Sequence, residues 1–192
     1  MQITFRPMVD DDLPLLHEWL NEPGVVEWWE GEDVTWGAVV ADYGSDNPDP
    51  VDYFFALDAA AGDRPFAWIQ TYAVADFAHE AETRAWFDLG YPVTGAGIDY
   101  LVGDPGERGG GRGSAMIRAF VDQIVWPDYP ERTHVAASPV RANVASCRAL
   151  VKAGFELAGS FDDDELGPCD LHVLARPATT PDPAATPPGL RG

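Results

Sequence analysis

The chain opens with apolar and polar residues in alternation, Ile3, Thr4, Phe5 and Arg6, which predicts a first strand over residues 3–8. The period then lengthens. In DDDLPLLHEWLN, residues 10–21, Leu13, Leu16, Trp19 and Leu20 recur at helical spacing and mark one buried face. Asp10 or Asp11 can cap that helix, and Pro14 fits its first turn, where no intrahelical N–H bond is needed. A second helix is predicted over 33–44, DVTWGAVVADYG. Strand patterning returns in 52–58 and 64–73, and the AAAGD between them reads as a hairpin turn. Residues 76–94 mix acids, aromatics and glycine without a clear period, and read as a long loop with room for a single helical turn.

Further along, strand and helix alternate. GAGIDYLVG, residues 95–103, reads as a central strand, and a helix over 112–126 begins directly at a run of glycines. A strand over 132–138, a helix over 143–154, and strands over 155–162 and 169–176 follow. From Pro177 onward, five prolines in PATTPDPAATPPGLRG argue against a packed element, so 177–192 is expected to be a disordered tail on a domain of residues 1–176.

Composition narrows the class. With 192 residues and 46% hydrophobic content, the chain is long and apolar enough for one well-cored domain. No run approaches the roughly 18 apolar residues of a membrane span. The N-terminus lacks a basic segment followed by an apolar one, so the expected location is cytoplasmic. Two cysteines and four histidines, scattered, do not supply a metal-ligand set. The charge changes the picture most. Thirty-two acids against 12 bases give a net charge of −20, which repels nucleic acid and anionic membranes and attracts a polycation.

Against that background GDPGERGGGRGSAMIRAF, residues 103–120, is locally cationic. It is a strand end, a glycine loop and a helix start, the arrangement that leaves backbone N–H groups free for an anion. Gly109, Gly110, Gly111 and Gly113 permit close backbone approach, and Arg108 and Arg112 add charge. The island is therefore expected to hold phosphate. It is not a P-loop, because no lysine follows the glycines, and its spacing is not that of a dinucleotide fingerprint.

RGGGRG resembles the Arg/Gln-x-x-Gly-x-Gly/Ala signature of GNAT-type acetyltransferases, with Arg108, Gly111 and Gly113 at the marked places. Downstream, NVASCRALVKAGF, Asn143 to Phe155, is similar to that family's Asn…Lys-x-Gly-Phe segment. The resemblance implies an α/β (α+β) GNAT fold, a mixed central sheet of about seven strands flanked by helices. It also implies acetyl-coenzyme A as co-substrate, no metal, and Leu101, Val102, Arg108–Ser114 and Asn143 as its contacts. One departure stands out. Where many GNAT enzymes carry a tyrosine that protonates the leaving thiolate, this chain has Leu150. EWLN at 18–21, VVEWW at 25–29 and GID at 97–99 bring the chain nearest, over residues 3–176, to the aminoglycoside 6′-N-acetyltransferases and their siderophore-acylating relatives.

A polyamine sugar needs carboxylates for its ammonium groups and flat walls for its rings. Three runs offer them: Trp28, Trp29, Glu30, Glu32 and Asp33; Tyr72, Asp76, Glu80, Glu82, Trp86 and Asp88; and Asp162, Asp163, Asp164 and Glu165. Asp99 is the expected general base, being a carboxylate among apolar residues just before the cofactor loop. In the family resembled, the aspartate of the matching GID segment has that role. Backbone N–H groups near Leu101 are expected to polarise the thioester carbonyl. With the resemblance, the function expected is that of an aminoglycoside 6′-N-acetyltransferase, moving acetyl from acetyl-coenzyme A to a primary amine of a small polycation, as a monomer or homodimer. The alternatives are acylation of a hydroxylysine-type siderophore intermediate, or a non-catalytic module that senses coenzyme A or sequesters polyamines.

Overall fold

The structure, a computed structural model, describes residues 2–29 and 33–178. Seven strands form one sheet in the order β1-β2-β3-β4-β5-β7-β6. β1 (Ile3–Pro7), β2 (Val51–Asp58), β3 (Arg64–Ala73) and β4 (Ala96–Val102) are antiparallel neighbours. β5 (His134–Ala137) lies parallel to β4, and β7 (Gly167–Ala175) fits antiparallel between β5 and β6 (Glu156–Asp163). The seven strands match the sequence pattern, and the expected hairpin turn is a 3-10 turn, Ala59–Ala61, closed by Gly62 and Asp63 at positive φ.

Helices cover both faces. On one, α1 (Leu13–Leu20), the short α2 (Pro23–Val26) and α3 (Trp36–Tyr43) pack Leu16, Trp19, Leu20 and Val39 against Phe55, Trp68 and Leu101. Neither Asp10 nor Asp11 caps α1. Residues Asp10–Asp12 form a 3-10 turn, and Asp12 is drawn into a paired ion bridge with Arg6 at 2.6 Å. Residues 76–94 also differ from expectation, because Ala81–Asp88 is a two-turn helix, α4. On the opposite face α5 (Arg112–Phe120) buries Met116, Ile117 and Phe120 against Ile69, Ile98 and Val135. α5 widens to a π stretch over Val121–Val125 before α6 (Trp126–Asp128), where Pro127 has no N–H to continue the α pattern. α7 (Val144–Ala153) lies beside α5 and buries Leu150 and Ala153. Of the expected tail, residues 179–192 lie outside the described residues.

Candidate active site

β4 and β5 pair only at Ala96 with Val135 and at Gly97 with Ala136. Beyond Gly97 the two strands part. Among the described residues no strand covers the β5-side edge of Ile98–Val102. A cavity of about 690 Å³ fills the gap, and its wall includes Ile98–Val102 from β4, Ala137 at the end of β5 and Ser138–Val140 beyond it. Side chains alternate across a strand. Tyr100 and Val102 therefore pack toward α5, whereas Leu101, and with it Asp99, faces the side of α1–α3. The cavity thus wraps one strand edge and reaches both faces of the sheet.

On the α1–α3 side the wall carries Trp28, Trp29, Tyr43, Gln70, Glu82, Asp99 and Ser138. Gln70 lies directly opposite Asp99 in the β3–β4 register, and its amide donates to Asp99 Oδ2 at 2.7 Å. Glu82, from α4, accepts a hydrogen bond from the Ser138 hydroxyl, and Ser138 in turn accepts from Trp86 Nε1 at 3.0 Å. Burial, and next the charge of Asp99, push Glu82 up to about 7, while the Ser138 bond opposes them. Trp29 Nε1 donates to the Tyr43 hydroxyl at 3.3 Å and its ring meets Trp68 edge-on at 5.9 Å. Two carboxylates and three aromatic rings therefore share one wall.

On the α5 side the glycine loop delivers α5. Gly111 is the residue before the helix, at φ +83°, a left-handed conformation that glycine adopts without strain. Arg112, Gly113 and Ser114 form the first turn, whose N–H groups have no intrahelical acceptor. Gly109, Gly111, Gly113 and Ser114 all line the cavity. The local positive charge, however, is answered by neighbouring acids. Arg108 bridges to Glu22 at 2.5 Å and donates to the Val102 carbonyl at 2.9 Å. Arg112 turns to Asp58 at 2.7 Å and Glu107 at 2.8 Å, with its guanidinium over Phe66. Any anion held here meets chiefly the free N–H groups of the helix N-terminus. Asn143 caps α7 by accepting from Ser146 N at 3.1 Å, and it lines the same cavity with Ser146, Arg148 and Lys152.

Residues 8–163 match the family model of the acetyltransferase (GNAT) domain. The chain belongs to the GNAT family of acetyltransferases. An aminoglycoside N(6′)-acetyltransferase type 1 of Klebsiella pneumoniae is 30% identical over 183 residues, spanning 92% of this chain and 84% of that protein. The solved structure of AAC(6′)-Ib with ribostamycin and coenzyme A has a TM-score of 0.76 at 28% identity, covering 92% of this chain and 94% of that one. A spermidine N-acetyltransferase of Vibrio cholerae, bound to coenzyme A and spermine, shares the fold at a TM-score of 0.65 and 14% identity, covering 91% and 95%.

This GNAT domain brings together part of the expected residue set. Trp28, Trp29, Glu82 and Asp99 meet on the α1–α3 side of the cavity, and Leu101, Val102, Arg108, Gly109, Gly111, Gly113, Ser114 and Asn143 line the same cavity. Neither Gly110 nor Arg112 lines the cavity, and the Arg112 guanidinium is bound to Asp58 and Glu107. Trp86 is 1% exposed; it is a core residue that holds Ser138 and is no platform for a sugar. Tyr72 packs on Phe77, with its ring where a Cβ on Gly97 would sit, so it too is away from the wall. Glu80 pairs with exposed His79, Asp33 accepts from Thr35 N, and Asp88 and Asp164 face solvent. From the last acidic run it is Asp163, not Asp164, whose charge reaches Glu82. Glu30 lies outside the described residues. Sequence reasoning missed Tyr43, Gln70, Ser138 and Tyr100, none of which carries a motif. Gln70 declares itself only through its register opposite Asp99.

Proposed function

We propose that this GNAT enzyme is an aminoglycoside 6′-N-acetyltransferase, moving acetyl from acetyl-coenzyme A to a primary amine of an aminoglycoside. The observation that carries the proposal is the position of Asp99 in one continuous cavity. It stands between an acceptor wall of carboxylates and indoles and a cofactor wall ending at a helix N-terminus. The names of the Klebsiella relative and of the solved AAC(6′)-Ib complex support it.

The coenzyme supplies the acetyl group as an activated thioester. The first-turn N–H groups of α5, with Arg108, hold its pyrophosphate, and the open edge of β4 pairs with its pantetheine arm. The N–H groups of Tyr100 and Val102, which face the open edge while the Leu101 N–H turns back to β3, polarise the acyl carbonyl. Trp28 and Trp29 flank the sugar rings, and Glu82 and Asp99 receive its ammonium groups. Asp99 takes the proton from the attacking amine, directly or through water, while Gln70 fixes its carboxylate.

Hydroxylysine fits this wall less well, because its own carboxylate would face Glu82 and Asp99. The arginine of the acceptor loops, Arg84, bonds the Glu80 carbonyl at 3.2 Å and does not line the cavity. Thiol release from acetyl-coenzyme A, measured with kanamycin, with hydroxylysine and without acceptor, tests the proposal. Release is expected with kanamycin alone. Asp99→Asn should lower kcat by about 10²- to 10⁴-fold, with partial recovery at high pH, and leave coenzyme A affinity unchanged. Turnover of hydroxylysine alone would reject the acceptor, and wild-type kcat in a folded Asp99→Asn enzyme would reject the base.

A further inference from the structure

Leu150, fully buried against the core, has no proton for a leaving thiolate. One turn earlier on α7 the structure places a different group. The Ser146 hydroxyl sits 2.7 Å from the Tyr100 hydroxyl, and both residues line the cavity. The pair is fixed from both ends. Tyr100 is rooted in β4, its ring packed against the main core. Ser146 is held by its own N–H, which donates to the Asn143 side chain at the start of α7. Two hydroxyls carry two hydrogens and their mutual bond uses one, so the second remains to be donated.

The placement relative to Asp99 gives the pair a role. Asp99 and Tyr100 are consecutive on β4, so they project from opposite faces of the strand whose uncovered edge lines the cavity. Acyl transfer at a carbonyl lying along that edge needs a proton acceptor on the side of the incoming amine. It needs a hydrogen-bond donor on the side of the departing sulfur. Asp99 occupies the first position and the hydroxyl pair the second. We propose that Tyr100 and Ser146 together donate a hydrogen bond to the thioester sulfur and stabilise the thiolate as it leaves. The inference rests on the acetyl-transfer reading of the cavity, and not on which amine is acetylated.

The step balances without a further reactant. The amine nitrogen forms the N–C bond, the C–S bond breaks and its electron pair stays on sulfur. The amine proton passes to Asp99, and water protonates the thiolate on release. Burial raises the Tyr100 hydroxyl far above its ordinary range, with the charges of Cys147 and Asp99 adding to the effect. The hydroxyl therefore stays protonated at any working pH and remains a donor. A thiol is the stronger acid, at about 8.5, so the tyrosine keeps its proton while it holds the sulfur's charge.

The test uses the full chain with coenzyme A alone and then with acetyl-coenzyme A and kanamycin. Coenzyme A is titrated on the protein by its thiolate absorbance, a readout that needs no turnover. In Tyr100→Phe and Ser146→Ala the acid constant of the bound thiol should fall by about tenfold, as expected for one lost hydrogen bond to a charged group. kcat should fall by about ten- to a hundredfold, with coenzyme A affinity within about threefold of wild type. Ser146→Thr, which keeps the hydroxyl, should restore both. The same thiol titration in wild type and Tyr100→Phe would overturn the proposal, whether or not kcat falls, since a packing defect alone could slow the enzyme. Failure of the wild-type chain to bind coenzyme A would instead reject the acetyl-transfer reading itself.

Discussion

At the scale of single residues the site is governed by two carboxylates whose surroundings differ. Asp99 accepts from Gln70 across the sheet, whereas Glu82 is held by one serine hydroxyl in a half-buried place near a like charge. Glu82 is pushed up to about 7 from an ordinary value near 4.5. Between those pH values the folded chain binds more protons at this residue than the unfolded chain, so stability falls as pH rises through that window. Each pKa unit corresponds to about 1.4 kcal/mol. Glu82→Gln keeps the contact with Ser138 and removes the titration. Thermal melts of both proteins at about pH 5 and pH 8 should show the wild type losing ground to the variant at the higher pH. Parallel losses in the two would show that Glu82 is not raised. Asp99 was legible in the sequence because a carboxylate within an apolar strand requires a use or a partner. Trp86 was misread for the opposite reason. An aromatic among acids looks like a binding platform in one dimension, yet its helix turns it inward beneath Ser138.

Among the elements, the start of α5 is where the proposed coenzyme A site is tested. Gly111 holds a left-handed backbone, and a Cβ there would meet only Ser114 Oγ at 3.9 Å. Substitution is therefore limited by conformation and charge, not by space. Asn and Asp tolerate this conformation about equally, so comparing them isolates the charge. Gly111→Asp should weaken coenzyme A binding at least about tenfold relative to Gly111→Asn, about 1.4 kcal/mol, because a carboxylate would face pyrophosphate at the helix N-terminus. Calorimetry giving equal affinities for the two folded variants would remove the island from the phosphate site. The glycines and the helix behind them were visible in the sequence. α4 was not: its eight residues bury only Thr83 and Trp86, too few for a helical period to emerge from an acidic background. The charge of the island was visible, but of the acids that answer it only Glu107 lies within the island, whereas Glu22 and Asp58 come from far along the chain.

For the whole molecule, a net charge of −20 sets the field in which a polycation approaches. Screening shortens that field to about 8 Å at 0.15 M salt. kcat/KM for kanamycin should accordingly fall as salt rises from about 0.05 to about 0.5 M, with kcat much less affected. A flat profile in stopped-time assays would reduce the charge to a solubility device.

What the sequence determined by itself were the local features: strand and helix periods, the glycine entry to α5, the anchor residues Leu13, Leu16, Trp19 and Leu20, and the two GNAT segments. These follow from interactions between residues a few positions apart, which a linear pattern records. The tertiary structure alone decided which strands stand side by side and where β4 and β5 separate. That separation exposes one strand edge and opens one cavity to both faces of the sheet, while the same fold brings Gln70 to Asp99, Ser138 to Glu82, and Tyr100 to Ser146. Those pairs lie 29, 56 and 46 positions apart along the chain. Only the burial of apolar faces on both sides of one twisted sheet sets their register, and no local preference encodes it.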